Sequence, residues 1–167
     1  MSVVMKRRSV RVFEETPVSD ELVVKLLEAG MQAPSAHNQQ PWEFIVVDDR
    51  TLLDEMSKMS NGSKLLMKAP LAIITMMKES DKSPYMRPQD MSAATENILL
   101  RAVELGLGGV WIGVYPLEER MKHVSDIFHI NGTTVPFSII AIGYPKEDKE
   151  VIKRFDPARV RYNEWVE

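Results

Sequence analysis

The sequence predicts a single α+β domain, and three observations carry that prediction. A helix with both start and stop signals lies near the N-terminus, and a longer, more apolar one lies past the middle. Around them come short Val-, Ile- and Met-rich runs of strand length, bounded by Pro, Gly and Asn. At 167 residues, with 44% hydrophobic and 27% charged, the chain has the composition of one globular domain with a real core. No internal repeat, linker or low-complexity run divides residues 1–167.

The bulk numbers remove several function classes. A net charge of −3 gives no basic field for tracking nucleic-acid phosphates. The absence of cysteine removes disulfides, thiol nucleophiles and cysteine-ligated metals or iron–sulfur clusters. No apolar run approaches the roughly 20 residues of a membrane span, and the N-terminus lacks a secretory apolar core, so the expectation is a cytoplasmic protein without membrane contact. Eleven methionines read mainly as core gap-fillers.

In order, residues 3–8 read as a short helix entering Arg7-Arg8-Ser9-Val10-Arg11-Val12-Phe13. Guanidinium groups beside a hydroxyl suit a phosphate, through forked charge-assisted hydrogen bonds. If 9–13 is extended, Ser9, Arg11 and Phe13 share one face. The competing reading is a solvated basic face with Val10 and Phe13 packed inward. Ser19 is an N-cap, Asp20 and Glu21 fill the first turn, and Leu22, Val23, Leu26, Leu27 and Gly30 make a stripe. Gly30 and then Pro34 are expected to end that helix.

The chain then enters Pro34-Ser35-Ala36-His37-Asn38-Gln39-Gln40-Pro41-Trp42. Flanking prolines stiffen this connection, and a hydroxyl and several amides on a stiff loop suit a polar ligand. Alternatively, those side chains cap their own backbone. Phe44 to Val47 is the first strand, and Asp48 and Asp49 offer caps for a helix around 50–59. Asn61-Gly62-Ser63-Lys64 marks a turn before a second strand, Leu71 to Met77. Residues 78–89, with Tyr85 and Met86, read as a loop at the mouth of a site.

Asp90 to Leu105 is helical and apolar over more than half its circumference, which predicts that a second subunit covers one face. Gly106 to Pro116 is a glycine-rich strand that fails the dinucleotide fingerprint, because Trp111 stands where a third glycine belongs. Its glycines point to close approach by a flat ligand or another backbone. A helix at about 117–125, a turn at Asn131-Gly132 and a last strand from Phe137 to Ile142 follow. The tail, about 146–167, is too aromatic for a disordered segment and is expected to dock on a partner as an arm.

His37, His123 and His129 are scattered without metal-ligand spacing, no G-x-S-x-G elbow is present, and Glu14-Glu15 and Glu118-Glu119 read as solvated surface. What remains fits a ligand with an anionic end, a hydroxylated middle and a flat heteroaromatic head. Flavin mononucleotide (FMN) has that form.

Four motifs in register, namely Arg7 to Phe13, Ala33 to Trp42, Gln89 to Leu100 and Gly106 to Pro116, resemble the FMN-dependent nitroreductase family over essentially the whole chain. The resemblance implies a central, mostly antiparallel sheet flanked by helices, in an intertwined homodimer with FMN at the interface. It implies that Arg7, Arg8 and Ser9 hold the FMN phosphate and ribityl end and that Arg11 lies near the pyrimidine. Pro34, Ser35, Ala36 and Asn38, supported by Gln40, would reach the FMN bound mainly by the other subunit. Ile112, Gly113 and Val114 would line the ring near N5, and Arg159 would meet the phosphate. Asn61 and Lys64 match a polar pair at the pyrimidine edge loosely. Some family members carry Glu-Gly at the N5 strand where this chain has Gly113-Val114, and the chain lacks much of the insertion that covers the substrate in larger members.

The implied activity moves hydride from NADH or NADPH through the flavin to a small nitroaromatic, quinone or similar electrophile, in a ping-pong scheme. The protein supplies orientation and electrostatics, with no catalytic side chain required and Arg11 as electrostatic support. The alternatives are an FMN-binding protein of the same fold acting as flavin reductase, dehalogenase or flavin carrier, and a plain interaction module without flavin.

Overall fold

The computed structural model describes residues 2–147 and 150–165. Helices α1 (Val3–Lys6), α2 (Asp20–Met31), α3 (Arg50–Ser57), α4 (Arg87–Glu104) and α5 (Glu118–Phe128) surround strands β1 (Trp42–Val47), β2 (Leu71–Met77), β3 (Gly108–Gly113) and β4 (Val135–Gly143). The strands form one sheet in the order β1-β2-β4-β3, with every neighbouring pair antiparallel.

The central strands follow from composition. β2 is buried along its whole length and β4 everywhere but its first residue, as Leu-Ala-Ile-Ile-Thr-Met-Met and Phe-Ser-Ile-Ile-Ala-Ile require when both sheet faces are covered. Side-chain alternation then sorts the core. Ala72, Ile74, Val110 and Ile112 face Leu53 and Met56 of α3, Leu66 and Val124 of α5. Leu71, Ile73, Ile140 and Ile142 face Val23 and Leu26 of α2 and Ile98, Leu99 and Ala102 of α4. Burying each large aliphatic side chain contributes about 1.5–3 kcal/mol.

The local signals explain the helix ends. Ser19 accepts from Leu22 N–H, Asp49 accepts from Leu52 N–H, and Ser60 and Ser63 form a reciprocal capping box that opens a 3₁₀ segment, Asn61–Met67. On α2 a hydrogen bond from the Lys25 ammonium holds the exposed Glu21 carboxyl below its ordinary pKa, and the attraction of that charge adds to the effect. Gly30, expected as a stop, lies inside α2, which runs on to Met31. Its role is packing: a Cβ there would lie 2.9 Å from Ile98 Cδ1, so the missing side chain lets α2 close on α4.

α4 begins at Arg87 rather than Asp90, because a proline is tolerated in the first helical turn and Pro88 sits there. The loop before it is therefore shorter than 78–89 and contains a 3₁₀ turn, Pro84–Met86. Every residue from Met91 to Val103 is buried or half-buried within the single chain. Thr75, Ser138 and Thr95 join β2, β4 and α4 by buried hydroxyl contacts of 2.8 and 3.3 Å, and Thr95 donates to Met91 O at 2.7 Å. That chain of hydroxyls pins α4 to the sheet beside the β-bulge at Thr75/Met76.

Segment 9–13 is not a regular strand. Ser9 bridges Gly109 and Phe13 bridges Pro145, but Val10 and Phe13 are buried while Arg11 and Val12 are exposed, so Ser9, Arg11 and Phe13 do not share a clean face. The inward packing of Val10 and Phe13 wins here. The glycine strand divides likewise. A Cβ on Gly108 would sit 2.6 Å from Val10 Cγ2, and one on Gly109 3.0 Å from Ala141 O. Those two glycines admit the chain's own neighbours, and Gly106 takes φ +76° after α4. β3 ends at Gly113, ahead of a cis Tyr115-Pro116 bond. α5 runs to Phe128, further than 117–125, ending on His129 in the left-handed region.

The tail holds a short 3₁₀ turn, Pro157–Arg159, capped by Asp156, and it presents Phe155, Tyr162 and Trp165 at 84%, 83% and 78% exposure. The parts of the arm at 148–149 and 166–167 lie outside the described residues. No helix among the described residues is long and apolar enough to cross a membrane.

Candidate functional site

Three groups of sequence-predicted residues occupy defined places relative to the sheet. The loop after α2 folds into a 3₁₀ turn, Ala36–Asn38, in which His37, Asn38 and Gln40 take φ of 50°, 51° and 47°. Non-glycine residues in this region each cost about 1–2 kcal/mol, so the surroundings must hold them. Part of the hold is internal: Ser35 Oγ accepts from Gln40 N–H and Asn38 Oδ1 accepts from the Gln40 amide, both at 3.0 Å. Ser35, Asn38 and Gln40 thus cap their own loop as well as facing outward.

The rest of the hold comes from two residues whose roles are not visible in the sequence, Asp90 and Gln39. Asp90, only 6% exposed at the start of α4, accepts from Ala36 N–H at 3.0 Å and from Gln39 Nε2 at 2.6 Å. The same Gln39 amide donates to Ser83 O at 3.0 Å, which ties the loop before α4 to the loop after α2. Gln39 Oε1 is buried without a partner in the described residues. In the sequence Asp90 is one acid in a helical first turn, and no local pattern separates it from a surface cap.

The second group lies on the far edge of the sheet. The Ser9–Gly109 bridge lays the N-terminal segment against the start of β3, the chain then turns to pair with the residues after β4, and Ile112 to Val114 lie at β3's other end. Arg7 Nε lies 3.0 Å from Glu96 Oε1 on α4, in a partly exposed ion pair. Arg8 lines one cleft with Lys6, Gly108 and Pro145, whereas Arg11 lines another with Lys64, Lys68 and Lys146, so the two arginines do not converge. Ile112 and Val114 are buried, and a Cβ on Gly113 would meet nothing within 4 Å. Of the glycines within β3, Gly113 is the one facing open space, and the Arg120 guanidinium donates to its carbonyl at 2.7 Å. Arg159, in the tail, is exposed and held by Asp156 at 3.2 Å.

The loop carrying Pro34, Ser35, Ala36, Asn38 and Gln40 leads into β1, and Ser9 and Gly113 lie on β3's side. Two strands intervene, so the sheet separates these edges by three spacings, about 14 Å. Asn61 and Lys64 belong to the 61–67 turn, with Lys64 on the Arg11 cleft. Among the described residues no cluster of His, Asp and Glu could hold a metal ion.

Comparison with known proteins bears directly on this geometry. The model of the Nitroreductase family matches residues 4–78 and 60–144. A protein of Archaeoglobus fulgidus, named as an inferred NADH dehydrogenase/NAD(P)H nitroreductase, is 45% identical over 99% of this chain and 98% of its own length.

The chain belongs to the nitroreductase family.

Among solved structures, an inferred NADH oxidase from Clostridium acetobutylicum superimposes with a TM-score of 0.94 at 44% identity, covering 98% of this chain and 100% of that one. An FMN-dependent nitroreductase from Clostridium difficile gives 0.91 at 32% identity, covering 98% and 99%. The α+β fold with its antiparallel sheet is thus the nitroreductase fold. In this nitroreductase Ser9 bridges the start of β3, while the 34–40 loop leads into β1 at the other edge of the sheet.

Proposed function

We propose that this nitroreductase is an FMN-dependent oxidoreductase that works as a homodimer, each site built from the β3 edge of one copy and the 34–40 loop of the other. The observation that carries the reading is the bare main chain at Gly113, open to space at the end of the strand whose start Ser9 bridges. A flat ring can lie against that strand where any side chain would hold it off. The separation of about 14 Å between the two edge strands favours a site in which the loop that meets β3 comes from a second copy. The exposed Phe155, Tyr162 and Trp165 on the arm supply apolar surface for such an assembly.

The residues present fit FMN. Arg7, Arg8 and Ser9 would hold the phosphate and ribityl end, with Arg159 as a further cation. Arg7 would then exchange Glu96 for a phosphate oxygen. Arg11, unpaired among the described residues, would sit at the pyrimidine, where its charge favours electron-rich forms of the ring. Ile112, Gly113 and Val114 would line N5, and Arg120 fixes the Gly113 carbonyl. Ser35, Asn38 and Gln40 of the second copy would close over the ring, with Pro34 and Ala36 in contact. When bound, the flavin supplies the hydride chemistry, taking electrons from NADH or NADPH and passing them to a nitroaromatic, quinone or related small electrophile. Donor and acceptor would use the same open face in turn. The cytoplasm is the compartment this reading implies.

The test is optical. Purified protein supplied with FMN should be yellow, NADH or NADPH should bleach it, and a nitroaromatic should restore the colour. Colour without bleaching would favour a flavin carrier, and colourless protein would sink the reading.

A further inference from the structure

A cleft of about 540 Å³ away from the bare end of β3 is walled by cations that the flavin reading only partly uses. Arg11, Arg50, Lys64, Lys68 and Lys146 line it, with Glu15 as the single acid. Arg50 is committed to its own chain, bonding Asp54 Oδ1 at 3.0 Å, Ala69 O at 3.1 Å and Leu66 O. Among the described residues the other four make no ion pair. They converge from three separate segments, two of which are tied by Lys146 N–H donating to Val12 O at 3.2 Å.

Gathering four unpaired cations around one concavity is unfavourable unless an anion offsets their repulsion, and this protein carries a net charge of −3 overall. A cleft of this volume falls in the range of small-molecule sites and exceeds what a simple ion fills. Ammonium groups approaching from several directions suit a phosphoryl group, whose oxygens accept from all sides.

We propose that Lys68 and Lys146, with Lys64 beside them, form a subsite for a phosphate group of the nicotinamide dinucleotide donor. The assignment rests on the flavin reading and deepens it, giving a role to two lysines that reading leaves idle. The phosphate is either the adenosine 2′-phosphate of NADPH or the diphosphate shared by both donors.

The test compares the flavin-loaded wild type with a Lys68→Ala/Lys146→Ala variant and a charge-matched control, Lys58→Ala/Lys122→Ala, whose lysines pair with helix-surface acids. All three are titrated calorimetrically with 2′,5′-ADP and with ADP, and their FMN affinities are measured alongside. The cleft variant should bind 2′,5′-ADP about ten-fold or more weakly than the control, since two charge-assisted contacts are lost. A loss confined to 2′,5′-ADP places the 2′-phosphate in the cleft and predicts preference for NADPH. An equal loss for ADP places the diphosphate there and predicts no preference. Cleft and control variants that bind both probes alike would overturn the proposal. Loss of FMN instead of probe would overturn it too, by giving the cleft to the flavin. A colourless wild type would refute the flavin reading alone, and the same titrations would still judge the cleft.

Discussion

Replacing Asp90 with alanine tests how the strained 35–40 loop is held. The wild-type carboxylate, 6% exposed, accepts from Ala36 N–H at 3.0 Å and from the Gln39 amide at 2.6 Å. A hydrogen bond to a charged group contributes about 1.5–3 kcal/mol. In the variant the Gln39 amide keeps Ser83 O, but Ala36 N–H loses its partner. Against this, three left-handed non-glycine residues store on the order of 3 kcal/mol, which the lost bonds no longer offset. The net loss in unfolding free energy should be on the order of 3 kcal/mol. Asp90→Asn should lose less, because it still accepts from Ala36 while its amide opposes that of Gln39. Urea unfolding at fixed protein concentration gives the free energy, and amide exchange at Ala36 localises the change. A loss below about 0.5 kcal/mol with unaltered exchange at Ala36 would refute the reasoning.

Other expectations follow from the same packing. Gly108→Ala, whose Cβ would meet Val10 at 2.6 Å and Pro145 at 3.0 Å, should lower stability by about 1–3 kcal/mol in thermal or urea melts. Gly113→Ala, with open space around its Cβ, should leave the melt nearly unchanged yet weaken FMN binding measured by fluorescence quenching; unchanged affinity would count against the ring lying there. Arg8→Ala should shift FMN affinity about ten-fold without loss of fold, and full retention of flavin would remove Arg8 from the phosphate. Deleting the chain from residue 151 onward removes the exposed Phe155, Tyr162 and Trp165 and should convert a dimer in sedimentation experiments to monomer with its circular dichroism intact.

How legible this protein is from its residues depends on the range over which each signal acts. Ser19, Asp49 and the Ser60/Ser63 pair announce helix starts because capping is settled within three residues. Leu71 to Met77 announces a buried strand because its composition admits little else. Long-range features stay hidden. Gly30 reads as a stop until Ile98, far along the chain, is seen against it, and 78–89 reads as loop to its end although the first turn of a helix tolerates Pro88. The site divides in the same way. The motifs mark Ser9, Gly113 and the 34–40 loop, but no local spacing reveals that Asp90 anchors Ala36 across 54 residues, or that Arg8 and Arg11 face different clefts.

The most direct measurement is anaerobic titration of the FMN-loaded protein with NADH or NADPH, followed by its visible spectrum and then by addition of a nitroaromatic. The account predicts loss of the oxidised flavin band with one equivalent of donor per site and its return on adding the acceptor. A protein that takes up no FMN, or whose flavin band is indifferent to both donors, would contradict it.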